Sequence, residues 1–87
     1  MTVNILLISD TDGKYHAALT AQGAGPAPTA VYNSWDDLTS KFEEKLGFRK
    51  GKLEDLRKDL LGPSRTADSG PFESTIENLR ACGFQIP

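Results

Sequence analysis

An apolar run from Val3 to Ser9 leads into Asp10-Thr11-Asp12-Gly13, and an alternating segment follows from Lys14 to Ala21. No other stretch constrains the fold as strongly. Val3 to Ser9 is rich in aliphatic and β-branched residues and predicts a buried strand. In the second segment Tyr15, Ala17 and Leu19 alternate with His16, Ala18 and Thr20, the period of a half-buried strand, although the alanines would also suit a helix. Aspartate side chains bond the local backbone where a turn begins, and glycine supplies the positive φ that a reversal needs. The stretch therefore predicts an antiparallel hairpin that turns at residues 10–13.

The rest of the chain is read in the same way. Gln22 to Pro28 holds two glycines and two prolines, which makes it a loop. Thr29 to Tyr32 can form a short third strand. Ser34 is placed to cap a helix, with Asp36 and Asp37 in a first turn that favours carboxylates. Trp35, Leu38, Phe42 and Leu46 then make one apolar stripe. Gly47 stops this helix, and Phe48 can fold back onto Phe42. A second helix is predicted from about Lys52 to Leu61, with Leu53, Leu56 and Leu60 inward and Gly62-Pro63 ending it. Residues 62–70 are polar and turn-rich and read as a surface loop. Pro71 suits the first position of a third helix with Phe72, Ile76 and Leu79 as its stripe. Gly83 closes that helix, and Phe84 and Ile86 are expected to dock the tail on the sheet. Consecutive strands followed by consecutive helices imply an α+β fold: a three-stranded antiparallel sheet with two or three helices on one face. At 87 residues the chain is long enough for one domain, 1–87, burying roughly 60–65% of its unfolded surface.

The segment LLISDTDG also resembles the first motif of the haloacid dehalogenase superfamily, an apolar strand ending in Asp-x-Asp-Gly. That resemblance implies Asp10 as a nucleophile on phosphorus and Asp12 as a general acid/base, both near magnesium. The family's parallel sheet alternates strands with helices, whereas this chain places its strands together. No second apolar strand ends in Ser or Thr with room for a crossover helix. The later acids Asp55, Asp59 and Asp68 fall on a helix and in a loop. Asp10 and Asp12 are thus turn residues, and metal-site candidates only if the hairpin reading fails.

From Ile5 to Leu46 the order is strand, Asp/Gly turn, strand with an aromatic, Gly/Pro loop, short strand, acid-capped helix. This pattern is similar to the front half of HicB-type antitoxins. In that family sheet and helix form an RNase-like scaffold that binds a small toxin, so the resemblance implies a protein partner.

Single residues add little chemistry. His16, the only histidine, has no Ser, Cys or second His at a motif spacing, so it reads as a half-exposed strand residue. Cys82, the only cysteine, excludes an internal disulfide and reads as a buried small apolar residue. Trp35 begins an apolar stripe and reads as core. The Gly-Ala-Gly of the 22–28 loop lacks the Lys-Ser/Thr of a phosphate loop.

The charge pattern is more informative. Arg49, Lys50, Lys52, Arg57, Lys58 and Arg65 crowd into one window with Glu54, Asp55 and Asp59. The window is therefore net +3 in a chain of net −2, leaving −5 elsewhere. Such a patch can meet phosphates, although its second helix alternates in sign and lacks interleaved aromatics. The apolar run at the N-terminus has no basic flank and is far shorter than a signal or membrane segment, which leads to the expectation of a cytoplasmic protein without membrane contact.

The sequence therefore predicts a small non-enzymatic binding or regulatory protein working through protein contacts. No catalytic, cofactor or metal residue is assigned. The candidate partner surface is Arg49, Lys50, Lys52, Arg57 and Lys58, and a free sheet edge would allow self-association. Nucleic-acid binding through residues 49–65 is the alternative, and an aspartate-based magnesium-dependent phosphotransferase is the distant one.

Overall fold

The computed structural model describes residues 1–20 and 27–86. Its elements are β1 (Thr2–Val3), β2 (Ile5–Ser9), β3 (Tyr15–Leu19), β4 (Thr29–Tyr32), α1 (Trp35–Leu46), α2 (Lys50–Leu60), β5 (Thr66–Asp68), β6 (Phe72–Glu73) and α3 (Ile76–Ala81). The hairpin forms as the turn residues predict. β2 and β3 are antiparallel, with Ile5 opposite Leu19 and Ser9 opposite Tyr15. Asp10 N–H donates to Lys14 O at 2.8 Å, and Asp12 Oδ1 accepts the Lys14 N–H at 3.1 Å. Gly13 sits at φ 88°, a conformation that costs glycine little. Residues 22–26 of the predicted Gly/Pro loop lie outside the described residues.

The sheet differs from the three-stranded expectation. It has four antiparallel strands in the order β4-β3-β2-β5, and β1 and β6 form a separate two-stranded ladder. The predicted first strand breaks at Asn4, so that β1 pairs with β6 while β2 pairs with β3 and β5. Two later readings are corrected with it. Residues 62–70 are not all surface loop: Thr66–Asp68 pair with β2, with Ala67 opposite Leu7 and buried. Pro71 does not start a helix either. Phe72 and Glu73 are extended, and α3 begins only after Thr75, whose hydroxyl accepts the Asn78 N–H at 3.1 Å. Ile76, expected inward, is 42% exposed, while Leu79 is fully buried.

The helices cover one face of the sheet. Ile5, Leu7, Ala17, Leu19, Ala30, Tyr32 and Ala67 point inward and meet Leu38 and Phe42 of α1, Leu53, Leu56 and Leu60 of α2, and Leu79 of α3. The alternation of each strand decides this sidedness, because neighbouring residues face opposite ways. The opposite face carries Ile8 and Val31, which are 40% and 52% exposed.

Helix α1 follows its sequence signals closely. Ser34 Oγ accepts the Asp37 N–H at 3.0 Å, and Asp37 pairs with Lys41 at 3.2 Å. At the other end Gly47 adopts φ 72°, and Phe48 N–H returns to Phe42 O at 3.1 Å. The Phe48 ring packs edge-on against Phe42 with centroids 5.2 Å apart. This cap turns the chain within three residues, so α2 starts at Lys50, two residues earlier than its apolar pattern suggests. The tail docks as expected. Phe84 is buried, Gln85 N–H reaches Thr29 O at 3.3 Å, and the buried Tyr32 hydroxyl donates to Cys82 O at 2.7 Å.

Candidate functional site

The abrupt turn at Gly47-Phe48-Arg49 creates an open apolar groove of about 470 Å³. One wall is the end of α1 and the start of α2, with Leu46, Phe48, Arg49, Gly51 and Lys52. The other is the segment that joins β5 to β6, with Ser69, Pro71 and Phe72. The two walls meet through Phe48 and Phe72, whose rings stand edge to face with centroids 5.0 Å apart. Both phenylalanines are only partly buried, so apolar surface is left open to solvent.

Backbone pairing holds the second wall in place. Ser69 N–H donates to Ile5 O at 2.9 Å, and the buried Ser69 hydroxyl accepts the Ile5 N–H at 3.0 Å and donates to Gly70 O at 2.9 Å. Lys52 spans the two walls: its ammonium donates to Ser69 O at 2.6 Å. Asp68, just outside, is held below the usual carboxylate range, first by the Gly70 N–H at 2.8 Å, then by the Asn4 side chain, with some help from the Lys52 charge.

The charge of the groove is one-sided. Its lining holds the cations Arg49 and Lys52 and no carboxylate, in a chain with more acids than bases. The smaller cleft between α1 and α2 is mixed by contrast, with Asp36, Glu43 and Glu54 beside Lys50. Helix α2 also opens without a side-chain cap and without an acid in its first turn, whereas α1 and α3 have both.

The predicted basic surface is divided. Arg49 and Lys52 line the groove at the start of α2. Lys50 and Arg57, seven residues apart on another face of the helix, lie on the Trp35 side, Lys50 in the α1–α2 cleft and the Arg57 guanidinium 5.7 Å from the Trp35 ring centre. Lys58 stands on the exposed side of α2, beside Glu54, Asp55 and Asp59 in the helix sequence. Arg65, at φ 56°, donates from Nη2 to Asp10 O at 2.8 Å and braces the hairpin turn. Trp35 is partly buried, and Tyr15 packs on it at 5.4 Å.

Asp10 and Asp12 belong to the turn. Asp10 Oδ1 accepts the Thr11 N–H at 2.6 Å, and its Oδ2 lies 3.1 Å from His16 Nε2. The His16 contact, then the Thr11 bond, holds the Asp10 carboxyl below its ordinary value. His16 is half-exposed, as its strand position predicts. Cys82 is fully buried, its thiol 3.6 Å from Lys41 O, and burial pushes its pKa up to about 11. Among the described residues no three His, Cys, Asp or Glu side chains are grouped to hold a metal ion, and no helix is long and apolar enough to cross a membrane.

Sequence reasoning missed Phe72, Pro71 and Ser69 as parts of a site, because it placed them in a loop and on a helix stripe. The signal present was Phe48, an aromatic just past a glycine cap, with three cations within four residues of it. No protein-family model, curated protein or solved structure matches this chain.

Proposed function

We propose that this chain is a small non-enzymatic binding protein acting through protein contacts, with the groove between the α1–α2 corner and the β5–β6 segment as its docking surface. One observation carries the reading: partly exposed aromatic surface concentrated in a preformed concave site, edged by Arg49 and by Lys52, whose ammonium Ser69 O holds. Partly exposed aromatics and arginine in a concavity are the usual anchors of protein contacts. The pattern similarity of residues 5–46 to HicB-type antitoxins, whose scaffold binds a small protein, points the same way.

A nucleic-acid partner draws less support. A polyanion needs a cationic track, and here Glu54, Asp55 and Asp59 interrupt it while the Arg57 guanidinium lies over Trp35.

Gly51 offers a direct test, since a side chain added there meets nothing within 4 Å. A photo-crosslinking residue at Gly51 should trap one recurrent partner protein in the native cell. The same residue at Val31, on the open sheet face, should not. Trapping from Val31 alone, or from neither position, would contradict the proposal; recovery of a second copy at Val31 would point to self-association through the sheet.

A further inference from the structure

We infer that the occupant of this groove is an acidic segment of the partner protein, an extended stretch with a large apolar side chain beside carboxylates. The inference rests on the groove being the docking surface and goes on to name the chemistry that fits it.

The apolar part of the occupant follows from the floor. Leu46, Phe48 and Phe72 present an open cavity of about 470 Å³, within the range that takes a large side chain. The Phe48–Phe72 pair already adopts the edge-to-face geometry that a third ring can extend.

The anionic part follows from the rim. Arg49 and Lys52 line the groove and no carboxylate does, while Lys50 turns into the α1–α2 cleft beside Asp36, Glu43 and Glu54. Lys52 is held in position by the Ser69 carbonyl, so one cation stands ready without having to be ordered. The placement of these cations is unfavourable for the free protein. They stand at the positive end of the α2 dipole, where Arg49 occupies the cap position without a capping bond. Violations of local rules of this kind concentrate at functional surfaces. A carboxylate on the occupant would relieve the repulsion between Arg49 and the positive end of α2.

The macromolecular class follows from the surroundings. The groove is short and open, and beyond it the exposed side of α2 carries Glu54, Asp55 and Asp59. A single strand of RNA would find one cationic spot and then repulsion, whereas a peptide with local acidic residues needs only that spot.

The test titrates the labelled full chain with four probes, followed by amide chemical shifts. The first is a short peptide with Phe and Leu between Asp and Glu residues. In the second every acid is replaced by its amide, in the third the apolar residues become Ser, and the fourth is a short single-stranded RNA. The first should move the amides of residues 46–52 and 69–72 and bind at least about tenfold more tightly than the other three. The double variant Arg49→Gln, Lys52→Gln should remove most of that advantage and leave the amide spectrum folded, while Lys50→Gln, in the neighbouring cleft, should keep the advantage. Equal binding of the amide peptide in the groove would overturn the acidic chemistry while leaving the docking surface intact. Tighter binding of RNA at the same residues, or no binding of the first peptide, would overturn the inference. Failure of the Gly51 crosslink would instead remove the surface itself.

Discussion

Phe42→Ala is expected to cost about 3–5 kcal/mol of folding stability, the range for truncating a buried aromatic without collapse of its site. Phe42 is completely buried. Its ring meets Tyr32 of the sheet edge-on at 5.8 Å and Phe48 of the helix corner at 5.2 Å. It therefore joins the sheet, α1 and the floor of the groove in one contact set. A domain of 87 residues has roughly 4–13 kcal/mol in total, so the variant should be barely folded at ambient temperature. Urea unfolding followed by circular dichroism measures it. A midpoint close to that of the parent would mean that Phe42 is not the hub of this core. Because Phe48 leans on Phe42, the same variant should lose binding to the acidic peptide even where native conditions keep it folded.

The second large effect concerns β5. Ala67→Asp should destabilise the protein by about 3 kcal/mol or more, because Ala67 lies opposite Leu7 on the covered face and no cation waits there. The aspartate would be driven toward its neutral form, its folded pKa raised above the unfolded value. The penalty should therefore grow as pH rises above the ordinary carboxylate range and shrink in acid. If residues 62–70 were only a surface loop, the same change would fall within about 0.5 kcal/mol. Denaturant melts at neutral and at acidic pH separate the two outcomes.

The legible and illegible parts of the fold differ in how far apart the contacting residues lie. The hairpin could be read because turn chemistry and alternation sit within a dozen residues, and the same is true of the Ser34 cap and the Gly47–Phe48 stop. β5 was hidden because its pairing with β2 spans some sixty residues and its only buried apolar group is an alanine. β6 was hidden for a related reason. Pro71 and the spacing of Phe72, Ile76 and Leu79 imitate a helix start, but pairing of Val3 with Phe72 draws the segment out into a strand. That tertiary pairing outweighs the local preference. The groove inherits this limit. Arg49 and Lys52 belong to a charge cluster that the sequence shows, yet the aromatic wall that gives them a concave site arrives through β5 and β6. Lys50, Arg57 and Lys58 share the cluster in sequence but turn away from the groove on the helix.

The partner face we propose for this molecule is the groove, not the open sheet. Mapping amide shifts of the labelled chain against its trapped partner tests this most directly. Movement should concentrate at Gly47, Phe48, Gly51, Lys52, Ser69 and Phe72 and spare Ile8, His16 and Val31. Movement centred on Ile8, His16 and Val31, with the groove unchanged, would contradict it.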